Sequence, residues 1–414
     1  MTDPNRYYDA AETRAPEARE QALLTALAAQ VAHAKAKSAY FAALFKDVDP
    51  AAVTARAVLA QLPVTRKSEL LEIQPKSLPF GGLNAVTPGK LARIFMSPGP
   101  IYDPEGHGPD FWRFARALHA SGFRAGDIVH NSFSYHLTPA GSMIEGGAHA
   151  LGCAVVPAGV GQTDLQLRAI ADIRPHGYGG TPSFLKILVD KARETGADIS
   201  SLTKALVTGE AFLPPHRAEL KAAGITARQC YGTADLGLVA YESEAEEGMI
   251  VDEGCLVEIL RPGTGDPVEA EGEVGEVVVT LFDADYPLVR FATGDLSAVL
   301  PGQSPCGRTN VRLKGWMGRA DQVTKIRGMF VHPVQVTAAV KKHPAVARAR
   351  LVVDRIGDGD DMLLEVEVAD AAALSQEALL DDLRSTTKLR GRLALIAPGT
   401  LPADAKTIED RRPV

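Results

Sequence analysis

Hydrophobic positions first gather between about residues 14 and 60, in a stretch rich in Ala, Leu, Glu and Arg that reads as helices. "QLPVTRKSEL" follows, with a helix start at Thr65 or Ser68. From about 90 to 190 the texture alternates. "LARIFM", "DIVHNSF", "CAVVPAG" and "HGYGG" read as strands or strand ends. "FWRFARALHASG", "AGSMIEGGAHALG", "TDLQLRAIADIRP" and "TPSFLKILVDKARETG" read as helices. "KALVTG", "PPHRAELKAAG" and "ARQCYG" continue the alternation. Strands alternating with helices predict a parallel sheet covered on both faces. After about residue 236 short, turn-rich runs such as "GLVAYESE", "CLVEILRP" and "GEVGEVVVTLF" predict an antiparallel sheet or a small barrel. From about 320 a helix–strand–strand–helix order predicts a small α+β domain. The expected fold is α/β. A large multi-layer domain over 1–318, with a parallel sheet and a small antiparallel part, precedes a small α+β domain over 319–414.

Composition narrows the function classes. The formal net charge is -7, without the basic stripe of a nucleic-acid binder. No apolar run is long enough for a membrane-spanning helix, and the polar start "MTDPNRYYDAAETRAPEARE" is unlike a signal peptide. The expectation is a cytoplasmic protein that uses neither nucleic acid nor a membrane. Cys153, Cys230, Cys255 and Cys306 have no CxxC spacing, so neither a disulfide framework nor a zinc site built from them alone is expected.

Three loops carry unusual polar content. "CYGTADLG" sets Tyr231, Gly232, Thr233 and Asp235 after an apolar strand, at the edge of a parallel sheet where ligands bind. "VRFATGDL" sets Asp295 behind Thr293 and Gly294, and "WMGRADQVTKIRGMFVHP" holds Arg319, Asp321, Lys325 and Arg327 between glycines. Taken singly, each also reads as a turn with solvated charges.

Their order resembles the adenylate-forming superfamily of acyl-CoA synthetases, and within it the phenylacetate–CoA ligase family. "LPVTRKSEL" is similar to the segment preceding that family's phosphate loop, and "GDIVHNSFSYHLTPAG" to its acyl-pocket stretch. "GTPSFL" resembles its TPSY motif, "YGTADLG" its YG-x-S/T-E segment, and "PLVRFATGDL" its RYRT(G/R)D segment. "GRADQVTKIRGMFVHPVQV" and "APGTLPADAK" match the start of the C-terminal domain and the segment bearing a catalytic lysine.

The resemblance implies AMP-forming ligation of a carboxylic acid to coenzyme A, with ATP, AMP and Mg2+ as cofactors and a homodimer as assembly. Tyr231 would stack on adenine, and Asp295 would accept from both ribose hydroxyls. Arg319 would reach the ribose or phosphate. Lys325, Ser97, Gly99, Gly209 and Glu210 would complete the nucleotide site with Gly232 and Thr233. Asp321 would be the hinge. Asp235, where the family keeps a glutamate, would lie near the magnesium ion as a shorter hard-oxygen ligand. Lys406 would stabilise charge developing at the α-phosphate; a solvated lysine near a frayed terminus is the alternative. Phe133, Tyr135, His136, Thr138 and Gly141 would line the acid pocket, with Phe133 and Tyr135 alternatively core residues. His136 and Thr138 replace a glycine and an aromatic residue of the phenylacetate enzymes, which points to a more polar or differently shaped acid.

The chain departs from the pattern at its phosphate loop. "IFMSPGPIYDPEG" occupies the place of SSGTTGKP, with an apolar run before it and a helix-like stretch beginning at Phe111. Ser97 and Gly99 are kept, the threonines and the lysine are not, and Pro98 and Pro100 lack the N–H groups of a cradle. Asp103 and Glu105 add negative charge. Either neighbouring Arg or Lys residues fill in, or ATP is not the donor, and a binding or acyl-handling protein on a degenerate fold stays open. In the C-terminal segment Lys406 matches either of two family lysines. Ser243, Ile250, Ser304 and Cys306 stand where some members carry a structural zinc; one soft ligand does not hold such an ion, so none is expected. No GxGxxG after an early strand supports a dinucleotide-dependent oxidoreductase.

Overall fold

Between Ile128 and Thr233 short apolar runs alternate with amphipathic helices, and the chain winds them into five parallel strands. The computed structural model describes residues 6–97, 99–262, 264–320, 324–331, 333–356, 359–402 and 405–412. Across the sheet the strands run Ala154–Pro157, Ile128–Asn131, Gly177–Gly180, Lys204–Val207 and Thr226–Thr233. The helices Ala140–Ala150, Thr163–Ile173, Pro182–Thr195 and Pro214–Ala222 connect or follow them. Pro182–Thr195 shows why such a segment folds locally. Thr181 caps it by accepting from the Phe184 amide at 3.4 Å, a proline sits at its first position, and Gly196 ends it at φ 74°. Its Leu185, Leu188, Val189 and Ala192 are buried with Ile170, Ala205 and Val207.

The antiparallel strands divide between two sheets. Gly237, at φ 67°, turns the chain straight back, so Gly237–Tyr241 pairs antiparallel with Thr226–Thr233. Met249–Val251, Arg312–Leu313 and Val299–Leu300 extend the same sheet to nine strands. Cys255–Leu260, Gly275–Leu281 and Phe291–Ser297 form a second sheet, joined in parallel by the short strand Thr65–Arg66. Thr65 is therefore not a helix cap: its amide donates to Arg290 O at 3.1 Å. The helical turn starts after Arg66, whose amide donates to Glu69 Oε2 at 3.3 Å.

Arg290 anchors this second sheet. Its fully buried guanidinium pairs with Glu258 at 3.1 Å and donates to the carbonyls of Ala60, Leu62 and Gly265. Burial pushes the Glu258 carboxyl up and the guanidinium pulls against it. Breaking such a pair costs about 3–5 kcal/mol, because one charge is left buried alone.

The proline-containing stretch is a β-hairpin, not a strand–loop–helix unit. Arg93–Ser97 pairs antiparallel with Ile101–Glu105, Ser97 opposite Ile101, and Gly99 takes a φ of 151° in the turn. The first helix beyond it, Phe114–Ala120, starts from Arg113 at φ 64°. Ile101, Asp103 and Glu105 share one strand face, and all three are buried.

The chain divides into two compact units, Met1–Met317 and Gly318–Val414. The second has the hairpin Thr324–Ile326 with Met329–Val331, the helices Pro333–Val340 and Gln376–Thr387, and a four-stranded sheet. That sheet runs Arg392–Ile396, Gly359–Val368, Val346–Ile356, Ile408–Asp410. Val336, Ala339, Leu351, Leu364, Leu379 and Leu383 are among the residues of its core. No helix among the described residues is long and apolar enough to cross a membrane.

Candidate active site

The loops leaving the C-terminal ends of the parallel strands converge on one edge of the sheet in the first unit. Phe133 follows Ile128–Asn131, Thr181 follows Gly177–Gly180, Gly209 and Glu210 follow Lys204–Val207, and Asp235 follows Thr226–Thr233. Such an edge collects exposed backbone and side-chain groups at the end of a rigid scaffold. Thr208 Oγ1 donates to Cys230 O at 2.7 Å and ties two of the strand ends together. Gly209, at φ 87°, brings the backbone up to the Phe133 ring and Thr181; a Cβ there would touch both at 3.7 Å. Glu210 Oε1 accepts from the Ser183 amide at 2.7 Å.

Tyr231 and Asp295 meet, although they lie 64 positions apart on different sheets. The Tyr231 hydroxyl donates to Asp295 Oδ2 at 2.9 Å, with Thr293 Oγ1 3.1 Å away. Trp316 Nε1 donates to Asp295 Oδ1 at 3.0 Å. Both oxygens of this buried carboxylate therefore have partners. Trp316 opens the segment "WMGRADQVTKIRGMFVHP", whose pattern assigns it no role, and only the fold reveals its contact.

The hairpin supplies a second cluster. Asp235 is buried, accepts from Thr233 Oγ1 at 3.3 Å, and forms an ion pair with Lys67. Asp103 lies against the same group. Burial first, then the charge of Asp235, push its carboxyl well above the usual range, while Lys67 and the Ser97 hydroxyl pull the other way. Neither Asp103 oxygen nor Asp235 Oδ1 has a well-formed hydrogen bond among the described residues, and the buried Tyr286 hydroxyl beside them has none either. Arg113 fixes the loop that follows Asp235 by donating to Leu238 O at 2.9 Å and to Leu236 O. The other hairpin acid, Glu105, is neutralised: Arg93 Nη1 lies at 3.0 Å and Ser142 Oγ at 2.9 Å.

The acyl-pocket stretch splits. Phe133 is buried with Val129, Met143, Ile144 and Leu206. The half-buried Tyr135 donates to Glu145 Oε2 at 2.9 Å and accepts from Asn131 Nδ2 at 2.7 Å. Gly141 lets the next helix approach this loop, since a Cβ there would lie 2.7 Å from Ser134 O. His136 is exposed and Thr138 half-buried. Of the zinc-position residues, Ile250 belongs to the apolar core. Ser304 Oγ lies 3.0 Å from Cys306 Sγ, and burial is outweighed by Ser243, Ser304 and Arg308, which hold that thiol below its ordinary value.

In the second unit Lys406 is exposed and lies two residues before the strand Ile408–Asp410. That strand is paired in the sheet, and Arg412 donates to Lys325 O at 2.8 Å and Asp360 Oδ1 at 3.0 Å. The strand that follows Lys406 is thus held in the sheet. Arg319 is half-buried, as is Lys325 on the strand Thr324–Ile326; Asp321 lies outside the described residues.

Comparison with known proteins decides the family. The chain is 33% identical to the phenylacetate-coenzyme A ligase of Thermus thermophilus over 354 residues, which cover 81% of this chain and 78% of that protein. The chain belongs to the phenylacetate–coenzyme A ligase family. The enzyme of that name from Aromatoleum evansii is 32% identical over 89% of this chain and 88% of its own length. The AMP-binding enzyme family matches residues 115–280, the region of the parallel strands. In fold, the chain is like a 2-hydroxyisobutyryl-CoA ligase crystallised with 2-HIB-AMP and CoA. The TM-score is 0.83 at 24% identity, covering 100% of this chain and 94% of that one.

Proposed function

We propose that this chain is an AMP-forming acid–CoA ligase acting on an aromatic or related carboxylic acid. The observation that carries the reading is the Tyr231–Asp295 pair beside Thr233 and Asp235 at the strand ends, in a chain related over most of its length to phenylacetate–CoA ligases.

In this reading the Tyr231 ring lies against adenine and the Asp295 carboxylate takes the two ribose hydroxyls. An acid carboxylate oxygen attacks the α-phosphorus of ATP, the bond to the bridging oxygen breaks, and pyrophosphate leaves. Lys406 stabilises the charge that develops there. The CoA thiol, losing its proton, then attacks the acyl carbon, and AMP departs with the electron pair of the acyl–oxygen bond. The unit from Gly318 onward is the mobile domain of this cycle, and the Asp321 segment is its hinge. The oxygens of Asp235 and Asp103 fit a hard divalent ion, since three of them are buried without a well-formed hydrogen bond. Mg2+ held there would offset the charge of the triphosphate. Phe133 and the Tyr135–Glu145–Asn131 network suit an acid with a flat apolar body and one polar substituent. A cytoplasmic homodimer completes the proposal.

The test is acid-dependent pyrophosphate release from ATP across a panel of aryl acids, followed by AMP release on adding CoA. Release that depends on both acid and ATP supports the reading. AMP binding without any pyrophosphate release would leave only an acyl-adenylate or acyl-CoA handler. Lys406→Ala is expected to abolish release while nucleotide binding persists.

A further inference from the structure

We propose that Asp103, on the hairpin, is a ligand for a divalent cation shared with Asp235, and that this ion replaces the cation a lysine provides in the phosphate-loop pattern. This rests on the ligase reading for the identity of the phosphate site. Placed against SSGTTGKP, the residue on the lysine position of "SPGPIYDP" is Asp103, so the chain has inverted the charge there. A surface inversion would carry no message. This residue is fully buried, on the inward strand face with Ile101 and Glu105.

Glu105 has well-formed bonds to its partners, whereas Asp103 has only Ser97 and Asp235 close by. Glu105 holds Arg93 and Ser142, whereas neither Asp103 oxygen has a well-formed hydrogen bond. Asp235 Oδ1 and the Tyr286 hydroxyl, both buried beside it, are in the same condition. Buried polar atoms are nearly always satisfied, and several orphans at one point mark a place that something else completes. Four oxygen atoms, three of carboxylates and one of a hydroxyl, select a hard divalent cation over a soft one.

Charge leads to the same ion. A divalent ion held between ionised Asp103 and Asp235 meets one net negative charge once the Lys67 ammonium is counted. The ion turns it to one net positive charge. Two carboxylates plus substrate phosphates are a common way to hold Mg2+. Lys67 remains paired with Asp235 at the rim, its side chain 22% exposed, and presents its ammonium toward the same phosphates.

The experiment titrates Mn2+ into the full chain without nucleotide and reads the free ion by electron paramagnetic resonance. The expected result is one Mn2+ per chain, displaced by Mg2+. Asp103→Asn should weaken it about tenfold or more, with one of two charged ligands gone. Glu105→Gln, two residues along the same face, should leave it unchanged. No binding to the wild-type chain, or equal binding to Asp103→Asn, overturns the site. The wild-type stoichiometry stands as a test even if a variant fails to fold. The two readings fail separately. Mn2+ binding with no pyrophosphate release from any acid removes the ligase reading and leaves the site. Release without nucleotide-free Mn2+ binding removes the site and leaves the ligase.

Discussion

The two carboxylate clusters of the candidate site treat their oxygens in opposite ways. Asp295 has a partner on each oxygen, the Tyr231 hydroxyl and the Trp316 indole, at 2.9 and 3.0 Å. Asp103, equally buried, has none of good geometry, and Asp235 is satisfied on one oxygen only. In the proposed reading, a ribose arriving at Asp295 competes with a hydrogen bond already made. A cation arriving at Asp103 and Asp235 meets groups whose burial is uncompensated. One cluster is pre-satisfied and yields to its ligand; the other is incomplete without one. Buried groups of the second kind are costly in the empty protein and gain most on binding.

The largest expected effect comes from removing the satisfied carboxylate. Asp295→Ala should weaken AMP binding about a hundredfold, two charge-assisted hydrogen bonds being lost. A calorimetric titration with AMP checks this, and an unchanged affinity would take Asp295 out of the ribose site. Next is the cation at the incomplete cluster. Lys67→Met should destabilise the chain by about 2–3 kcal/mol, because Asp235 loses its ammonium inside the protein. Adding Asp103→Asn should recover much of that loss, since the two sites are coupled through Asp235. Denaturant unfolding of the single and double variants measures it, and simple additivity would contradict the coupling.

Trp316→Phe sharpens the comparison from the other side. It removes the indole that a ribose must displace, so AMP should bind about fivefold more tightly, one net hydrogen bond being relieved. The chain has only two tryptophans, Trp112 and Trp316, so indole fluorescence on AMP addition reports the same displacement. No fluorescence change would mean that the indole stays on Asp295. The smallest effect lies outside both clusters. Burial pushes the Asp110 carboxyl up to about 7, with the Ala115 and Phe114 amides pulling against it. Its native form keeps a proton that the unfolded form has lost, so stability should fall as pH rises from about 4 to 7. Asp110→Asn should flatten that slope in thermal melts, and an unchanged slope would assign it to other groups.

The parallel half of the fold is legible because its periodicity is local. "DIVHNSF", "KALVTG" and "TPSFLKILVDKARETG" carry their own strand or helix signals and become Ile128–Asn131, Lys204–Val207 and Pro182–Thr195. The antiparallel strands carry equally clear local signals, but which sheet each joins depends on partners far away. Thr65–Arg66 pairs with Phe291 and Ala292, which no local pattern announces. The hairpin is obscured by prolines that read as loop. At the site, Tyr231, Thr233, Asp235 and Asp295 stand in recognisable segments, and the fold brings Tyr231 to Asp295 and Thr233 to Asp235. Lys67 stands in a recognisable segment too, yet its pairing with Asp235 spans 168 positions and leaves no trace in a single sequence. Trp316 opens the loop "WMGRADQVTKIRGMFVHP" but carries no role there, and Tyr286 lies just outside the recognisable segments.

The most direct test is a pair of titrations, AMP and ATP, each with and without Mg2+. If Asp295 holds the ribose without an ion and Asp103 with Asp235 holds one beside the phosphates, AMP affinity should not respond to Mg2+, while ATP should bind well only when Mg2+ is present. ATP binding that is equally tight without the metal, or AMP binding that requires it, would contradict the account.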